Sequence, residues 1–387
     1  METIKLLEIL DRGEDSRHQF KENFTNVNAL AAEMVALANA QGGKIIVGVN
    51  DNGDIVGLLH EDIGRLNQLV SNAASQSVKP PINPLTENVT TESGLVMVIM
   101  IPEGLNKPYM DKQGRIWVKN GADKRQVTSR EEMQRMFQAS GLVYADELPV
   151  PGSTLTDLEM EAFRAYYEKR YEQSLDEAEI GLYQVFENLG LARDEEVNLA
   201  GLLLFGNNPQ QFRPAFVTRA IVFPGDVIDE ERFLDSEEIS GNLVKMYEGM
   251  FAFVRRNLHR IQGNGGVNAP GTIEIPRIVL EELLVNALVH RDYFISAPIR
   301  LFIFRDRIEL ISPGHLPNHL TPVQISCGLA NMRNPRLASH ASHILPYRGL
   351  GTGIPRALKA YPDIDIHDDR EGNQFKVIIW RRKGEDQ

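Results

Sequence analysis

Apolar and polar positions alternate along the first third of the chain in a way that predicts a mixed α and β domain. After a short N-terminal helix, the Ala-rich segment 27–40 predicts a helix that ends at Gly42-Gly43, where a left-handed backbone is easily reached. Residues 44–50 predict a strand that turns at Asp51-Asn52-Gly53 into a β-hairpin. Strands are also predicted at 95–101 and 115–119, and a helix at 129–138 with Ser129 as N-cap and Glu132 three positions on.

A second mixed region follows a break in this pattern. The prolines and glycine of ELPVPGSTLTDLE predict a linker at 145–156, after which Thr156 caps a charged helix that runs to about 171. The later predictions are strands at 200–206 and 216–223, a helix at 237–259 before a loop rich in Gly and Asn, a helix at 277–290, strands at 299–304 and 308–312, and a polar loop at 318–347. We therefore predict domains at 1–145 and 201–383 and an acidic helical connector at 146–200.

The distribution of charge changes how the net charge of -12 is interpreted. Residues 146–200 carry 14 acidic and 4 basic side chains, whereas residues 276–387 carry 12 acidic and 15 basic ones. The acidic excess therefore belongs to the connector, and it does not exclude a nucleic-acid partner for either end. The lone Cys327 allows no intramolecular disulfide, and no apolar run approaches the roughly 20 residues that span a bilayer, so we expect a cytoplasmic protein with no membrane partner.

Three polar residues share one face of the apolar segment RIVLEELLVNALVH. Glu282, Asn286 and His290 are spaced four residues apart, which places them in one narrow row on a helix. The row could be the wet side of an amphipathic helix. Its narrowness favours a ligand pocket instead, because isolated polar groups on a buried helix need partners.

Glycines open a helix further along, at Arg348-Gly349-Leu350-Gly351-Thr352-Gly353-Ile354. Amide groups at a helix N-terminus favour phosphate, although a loop-to-helix turn without a ligand would also explain such a cluster. The order of a helix with E-x-x-x-N-A, a strand, a glycine turn, a lid and G-x-G-x-G resembles the GHKL ATPases. That resemblance implies that Glu282 activates water, that Asn286 holds ATP-bound Mg²⁺, and that His290, Gly314, Gly349, Gly351 and Gly353 contact the nucleotide.

A closer resemblance, over about residues 155–382, is to the bacterial regulators labelled RecG-like. It rests on EELLVNALVHRDY, SPGHLP, RNP and GTGI. No G-x-x-x-x-G-K-[ST] motif occurs, which argues against a helicase motor. The GHKL Asp that reads the adenine amino group is replaced by Ser312 in Ser312-Pro313-Gly314, and the last glycine cluster lacks Lys. We therefore expect ATP binding with slow hydrolysis or none.

The N-terminal motifs resemble the AlbA-type domain of Schlafen proteins over about residues 12–138. They are EDSRHQFKE, Gly42-Gly43, VGVNDNGDIVGL, Lys107-Pro108-Tyr109 and RIWVKNGADKRQVTSREE. In Schlafen nucleases two Glu and an Asp hold the catalytic metal, and the matching positions are Glu14, Gln19 and Asp51. An amide at position 19 removes one anionic ligand, which predicts a weak metal site and poor nuclease activity. Asp51 could also be a turn former only.

Basic residues are concentrated at 107–135, where eight Lys or Arg face four acids. Together with Tyr109 and Trp117, they suit phosphate contacts and base stacking. The predicted nucleic-acid-binding residues are Lys21, Lys107, Tyr109, Arg115, Lys119, Lys124 and Arg125. Lys21 could equally be a solvated surface lysine.

The overall expectation is an α+β protein with an N-terminal AlbA-type domain and a C-terminal GHKL-like α/β sandwich. The leading hypothesis for its function is an ATP-binding and nucleic-acid-binding regulator, similar to transcriptional regulators, in which the ATP state biases nucleic-acid binding. The alternatives are an ATP-gated, metal-dependent nuclease and a non-enzymatic defence or regulatory oligomer. The expected ligands and partners are ATP, Mg²⁺, DNA or RNA, and further copies of the chain in a homo-oligomer.

Overall fold

The structure is a computed structural model that describes residues 2–229, 231–261, 272–317 and 320–381. The chain divides into two compact units, Met1–Leu142 and Val143–Gln387. The predicted loop rich in Gly and Asn after residue 261 lies outside the described residues. The α+β class and the two-domain arrangement are confirmed.

The first unit is built on a four-stranded sheet with the order β1-β2-β5-β4, in which only β1 and β2 are parallel. Its helices are α1 (Thr3–Arg12), α2 (Val27–Asn39), α3 (His60–Asn72) and α4 (Arg130–Ala139). Its strands are β1 (His18–Lys21), β2 (Gly43–Val47), β3 (Val78–Lys79), β4 (Leu85–Thr91), β5 (Gly94–Ile101), β6 (Met110–Asp111), β7 (Trp117–Asn120) and β8 (Asp123–Gln126).

Helix α2 forms as predicted and lies at the centre of this unit's core. The Asn26 side chain caps it by accepting a hydrogen bond from the backbone N–H of Asn28 at 2.8 Å. The predicted turn at Asp51-Asn52-Gly53 forms, but the hairpin is shorter than predicted. Val49 and Ile55 form a single bridge across the turn, and β2 pairs with β1 and β5 instead. Burial of β2 in the middle of the sheet explains the difference, because its two long-range partners occupy both edges of the strand.

The second unit contains a six-stranded sheet with the order β12-β11-β15-β16-β18-β17. Its helices are α5 (Met160–Tyr171), α6 (Leu182–Asn188), α7 (Leu199–Phe205), α8 (Leu243–Asn257), α9 (Arg277–Val289), α10 (Pro322–Ser326), α11 (Pro335–Ile344) and α12 (Gly353–Ala360). Its strands are β9 (Ala192–Arg193), β10 (Glu196–Val197), β11 (Thr218–Val222), β12 (Asp235–Ile239), β13 (Arg260–Ile261), β14 (Thr272–Ile273), β15 (Ile299–Ile303), β16 (Arg307–Pro313), β17 (Ile364–Asp369) and β18 (Gln374–Trp380). Helices α8 and α9 contribute to the core that the sheet covers.

Two predictions of secondary structure in this unit were wrong. The run 200–206 lies in helix α7 and not in a strand, because Asn198 caps the helix by accepting from the N–H of Gly201 at 2.9 Å. Every residue of α7 is buried, so apolar periodicity could not distinguish helix from strand. The predicted helix 237–259 is strand β12 followed by α8. Gly241, at φ 108°, turns the chain between them, and Asn242 caps α8.

The prediction of a polar loop at 318–347 was also wrong. Its described part contains two helices, α10 and α11, and each begins with a proline at its first position. Thr321 and Gln324 form a capping box at α10. At α11 the cap comes from far away in sequence, because the Asp146 carboxylate accepts from the N–H of Leu337 at 2.8 Å.

The prediction that Thr156 caps α5 was also wrong. A short turn at Leu155–Asp157 comes first.

The acidic segment 146–200 packs within the second unit. Phe163 of α5 and Phe186 of α6 stack with ring centroids 4.0 Å apart, and both belong to the same core as α8 and α9. Asp146 is buried where it caps α11, and the other acids of the segment are exposed or half-buried. The domain boundaries predicted at residues 145 and 200 stay predictions.

Within the described ranges, no helix has both the length and the apolar character that crossing a membrane requires.

Candidate functional site

Helix α9 forms one wall of a pocket in the second unit, and the predicted polar row lines it. Glu282, Asn286 and His290 all border this pocket, together with Gly314 and the turn 347–354. Nine of the thirteen residues of α9 are buried, so the helix is fixed by apolar packing on its other faces. The pocket therefore presents the three side chains from a rigid support.

Glu282 is nearly inaccessible and is already paired. Its side chain is 4% exposed and forms an ion pair with the Arg356 guanidinium, which comes from α12. Burial raises the pKa of Glu282, and the positive charges of Arg356 and Arg348 oppose that rise. A carboxylate with a raised pKa can act as a general base near neutral pH once its partner yields.

Asn286 is oriented by its own helix. Its Nδ2 group donates to the backbone carbonyl of Glu282 at 2.7 Å. Because the amide nitrogen is engaged in this way, the Oδ1 atom is the part of the side chain suited to a hard cation such as Mg²⁺.

His290 is held beside Tyr347, with Nε2 at 2.9 Å from the tyrosine hydroxyl. Burial lowers the pKa of His290 to about 4, with Arg333 adding to the effect, and burial raises the pKa of Tyr347 to about 12. Both groups are therefore neutral at pH 7. His290 borders the pocket as a neutral hydrogen-bonding group and not as a cation.

The glycine turn approaches α9 closely. Gly349 and Gly351 both have φ 69°, and a Cβ atom at Gly353 would clash with the Glu282 carboxylate. Gly353 therefore has a packing reason to be glycine, independent of any ligand. Contacts of these glycines with phosphate stay a prediction.

Gly314 has φ 96°, and a Cβ atom there would clash with Arg333 and Asp292. The Arg333 guanidinium donates to the carbonyl of His315 at 2.6 Å and lies 3.8 Å from the Asp292 carboxylate. Arg333 and Arg348 thus border the pocket, and Arg356 is paired with Glu282 of the pocket wall. Arg333 lies in the RNP motif and Arg356 in the segment PRALKA, yet neither was predicted as a site residue, because their partners are distant in sequence.

The remaining pocket wall is apolar. It is formed by Leu283, Ala287, Leu310, Phe375 and Val377, with Ser312 among them. The pocket thus combines an apolar lining with the polar group of Glu282, Asn286 and the glycine turn. A ligand with a flat apolar part and an anionic part fits this combination.

In the first unit, the predicted nucleic-acid-binding cations lie beside acceptors of the protein itself. Lys119 donates to the Gln19 Oε1 atom at 2.9 Å, and Lys124 pairs with Glu33. Arg125 forms two hydrogen bonds with the Glu132 carboxylate at 2.9 and 2.6 Å. Burial lowers the pKa of Lys119, while the charges of Glu33 and Glu14 oppose that change.

The other predicted residues of that surface are held similarly. Lys107 contacts Glu103 at 2.8 Å, Lys21 lies 3.7 Å from Asp51, and Arg115 donates to Asp111 at 2.7 Å while stacking on Trp117. Tyr109 is 5% exposed and belongs to the core of the first unit. The expectation that Tyr109 stacks on bases is therefore wrong, because its ring faces protein and not solvent.

The predicted metal residues Glu14 and Asp51 each lie against another side chain of the protein, and the metal site stays a prediction. The Glu14 carboxylate accepts from the Gln19 amide and from the Phe20 N–H at 2.6 Å. Asp51 is largely exposed beside Lys21. Among the residues that the structure describes, no group of three His, Cys, Asp or Glu is placed to hold a metal ion.

Glu33 is a residue that the sequence analysis missed. It is 3% exposed, on α2, and its Oε2 atom has no hydrogen-bond partner while Oε1 takes Lys124. Glu33 and Glu14 both contribute to the electrostatic environment of Lys119. Only the fold brings these acids near Lys119, because they lie on different elements. The one sign of Glu33 in the sequence was an acidic residue in the middle of the mostly apolar, Ala-rich helix α2.

Comparison with known families assigns domains to both ends of the chain. Residues 14–128 match the family "Schlafen, AlbA_2", and residues 296–379 match "Putative ATP-dependent DNA helicase recG C-terminal". Residues 134–216 match a domain of unknown function. The chain therefore carries a Schlafen AlbA_2 domain and a RecG C-terminal domain, as its motifs predicted. The second match begins after α9, so it does not include Glu282 or Asn286.

Solved structures provide two further likenesses. The DIP2311 protein from Corynebacterium diphtheriae is 20% identical, with a TM-score of 0.48, over 98% of this chain and 80% of that one. The N-terminal domain of a RecG-related protein from Nitrosomonas europaea, titled a "Putative ATP-dependent DNA Helicase", is 22% identical, with a TM-score of 0.24, over 34% of this chain and 96% of that one. No curated protein matches the chain.

Proposed function

We propose that this protein is an ATP–Mg²⁺-binding and nucleic-acid-binding regulator, in which nucleotide binding to the second unit biases nucleic-acid binding by the first. The observation that carries the proposal is the pocket between α9 and the glycine turn, which combines Glu282 and Asn286 with an apolar wall. The presence of a Schlafen AlbA_2 domain and a RecG C-terminal domain in one chain supports it.

In this proposal the nucleotide base packs in the apolar part of the pocket. The phosphates lie at the amide groups of the turn before α12, where the helix N-terminus favours negative charge. Asn286 Oδ1 takes the Mg²⁺ ion, which neutralises phosphate charge and supplies electrophilic activation when it is bound. Arg348, which borders the pocket and acts electrostatically on Glu282, is a candidate phosphate ligand in place of the missing lysine.

Glu282 is the candidate general base, and its ion pair limits that role. While Arg356 neutralises the carboxylate, Glu282 is a weaker proton acceptor, because the positive charge stabilises the ionised form. Slow hydrolysis follows from this arrangement. Binding without rapid turnover suits a protein whose nucleotide state is a signal.

Nucleic-acid binding in the first unit is proposed to involve exchange of ion pairs. Lys124 and Arg125 are bound to Glu33 and Glu132, so a phosphate backbone must compete with those carboxylates. The Arg125 pair is substantially exposed, so its net stabilisation is small, about 0–1 kcal/mol, and phosphate can replace the acid at little cost. The Lys124 pair is more buried on the Glu33 side and is harder to open.

The proposed function is tested by isothermal titration of the full chain with ATP in the presence of Mg²⁺. We expect binding by the wild type and loss of binding in Asn286→Ala. Asn207→Ala, an exposed amide of the same unit, is the matched control and should bind as the wild type does. Unchanged affinity in Asn286→Ala would contradict the assignment of the pocket.

Coupling between nucleotide and nucleic acid is tested by repeating the titration with single-stranded RNA or DNA present. Linkage requires that ATP and nucleic acid change each other's affinity by the same factor. A reciprocal change supports regulation, whereas two independent affinities would leave nucleotide binding intact and remove the regulatory part of the proposal.

A further inference from the structure

The Lys119 ammonium of the first unit has two oxygen acceptors and two acids that attract it. From β7 it donates to the Gln19 Oε1 atom of β1 at 2.9 Å and to the backbone carbonyl of Ala122 in the turn after β7. The charges of Glu33 and Glu14 favour the ammonium form at the same place. Hydrogen bonds and two carboxylates therefore hold this cation together.

The acceptors in this region exceed the donors that the side chains supply. Glu33 is 3% exposed, and its Oε1 atom pairs with Lys124. Its Oε2 atom has no hydrogen-bond partner among the residues that the structure describes. A buried carboxylate with an unpaired oxygen is costly unless cations balance its charge. Lys119 supplies positive charge to this group in addition to Lys124.

A divalent metal ion would need the same oxygen atoms. The resemblance to the AlbA-type domain of Schlafen proteins implies metal ligands at Glu14, Gln19 and Asp51, and hard cations bind oxygen atoms. Here Gln19 Oε1 accepts from Lys119, and Glu14 accepts from the Gln19 amide and from the N–H of Phe20. An incoming metal ion would have to displace an ammonium of the same charge sign. The residues present therefore fit an ammonium and do not fit a divalent ion while Lys119 is in place.

We infer that the Lys119 ammonium is a built-in cation that takes the place of a divalent metal ion in the first unit. The inference depends neither on nucleotide binding nor on nucleic-acid binding. Lys119 fastens the β7–β8 hairpin to β1, and this task needs no metal ion. Loss of the ammonium should uncover a cation site, because its two oxygen acceptors and the charges of Glu33 and Glu14 remain.

The test is titration of the full chain with Mn²⁺ in the absence of nucleotide, so that ion binding with ATP does not contribute. Lys119→Met removes the charge and leaves an unbranched side chain. We expect this variant to bind Mn²⁺ at least about tenfold more tightly than the wild type, because a repulsive charge is gone. Adding Glu33→Gln to Lys119→Met should remove most of the gain.

Two control variants separate the loss of this particular ammonium from a general loss of charge. Lys119→Arg keeps a positive charge at the same position and should bind Mn²⁺ no more tightly than the wild type does. Lys79→Met removes a charge from an exposed position of the same unit and should also leave Mn²⁺ binding unchanged.

Thermal melting with and without Mn²⁺ covers a variant that folds poorly. We expect Mn²⁺ to raise the melting temperature of Lys119→Met more than that of the wild type, because the ion binds the folded state. Equal Mn²⁺ affinity in the wild type and Lys119→Met, or a variant that stays unfolded when Mn²⁺ is added, would overturn the inference. Wild-type binding of Mn²⁺ that disappears in Glu33→Gln would also overturn it, because the ion would then bind beside the ammonium.

Discussion

The pocket wall of the second unit and the basic stretch of the first unit differ in what their polar side chains face. Glu282 and Asn286 lie on α9, His290 is its C-cap, and all three border a common cavity. By contrast, Lys119, Lys124 and Arg125 each lie against an acceptor of their own unit. A local group of polar residues in the sequence therefore corresponds to two different arrangements in the structure. A shared cavity makes such a group a candidate site, whereas the basic side chains of the first unit already have acceptors of the protein itself as partners.

The largest effect is expected from Glu282→Gln, which tests the pocket side of the comparison. The variant should keep or tighten ATP binding while any hydrolysis falls by about 10²- to 10⁴-fold, because the general base is lost. Phosphate release under single-turnover conditions measures the rate, and titration measures the affinity. Glu281→Gln is the control, because that neighbouring acid pairs with Arg277 on the solvent side. A rate that is unchanged in Glu282→Gln would exclude Glu282 as the base.

The second prediction concerns how the stability of the folded protein depends on pH through His290, which borders the pocket. The pKa of His290 is lowered to about 4 in the folded protein, from an ordinary value of 6.5. A lowered pKa means that the folded state holds the neutral form, so this stability is present above pH 6.5 and is lost as pH falls toward 4. The loss is at most about 3 kcal/mol, from the size of the shift. His290→Gln, measured by denaturation at several pH values, should flatten this dependence. An equally steep dependence in the variant would assign it to other groups.

The basic stretch is tested by replacing Lys119, Lys124 and Arg125 together with Gln. If these residues bind phosphates after exchanging their present hydrogen-bond and ion-pair partners, the slope of log affinity against log salt should fall by about 0.7–0.9 for each phosphate that is no longer neutralised. Binding of labelled RNA and DNA at several salt concentrations measures that slope. Lys79→Gln is a single-charge control at an exposed position of the same unit. Identical binding by the triple variant at every salt concentration would show that the ion pairs are purely structural.

The metal prediction is tested by Gln19→Glu. A second carboxylate beside Glu14 lacks the amide donor that now joins the two side chains, so the pair would attract a cation, for which Mn²⁺ would compete with the Lys119 ammonium. We expect tighter binding of Mn²⁺, by about tenfold, and we test the variant for cleavage of labelled RNA and DNA. Adding Glu33→Gln or Asp51→Ala to Gln19→Glu shows which acid completes the site. Robust cleavage by the wild type that disappears in Asp51→Ala would instead favour the nuclease alternative.

The smallest effect is expected from Glu132→Gln, which releases Arg125 from its carboxylate partner. Nucleic-acid affinity should rise by about two- to fivefold, in keeping with the small net value of an exposed ion pair. Glu131→Gln is the neighbouring control, because that acid contacts Ser129 and not Arg125. No difference between the two variants would place Arg125 outside the binding surface.

The sequence by itself determined the elements whose signals are local. Helix α2 follows from its alanine run and the Asn26 cap, α9 from its apolar residues, and α12 from the glycines before it. The ordered motifs also identified the AlbA_2 and RecG C-terminal domains. The row of Glu282, Asn286 and His290 needed only the helical repeat, because residues four apart share a face.

Only the tertiary structure decided which distant groups meet. Arg356 reaches Glu282 from 74 residues away, Lys124 reaches Glu33 from 91, and Asp146 caps α11 from 191. The strand prediction at 200–206 and the base-stacking prediction for Tyr109 were wrong for the same reason. Both places are buried on all sides, so the local pattern of apolar residues could not show which neighbours cover them. Local pattern reports which side of an element is apolar. It does not report what covers that side, because the covering residues are chosen by packing over the whole unit.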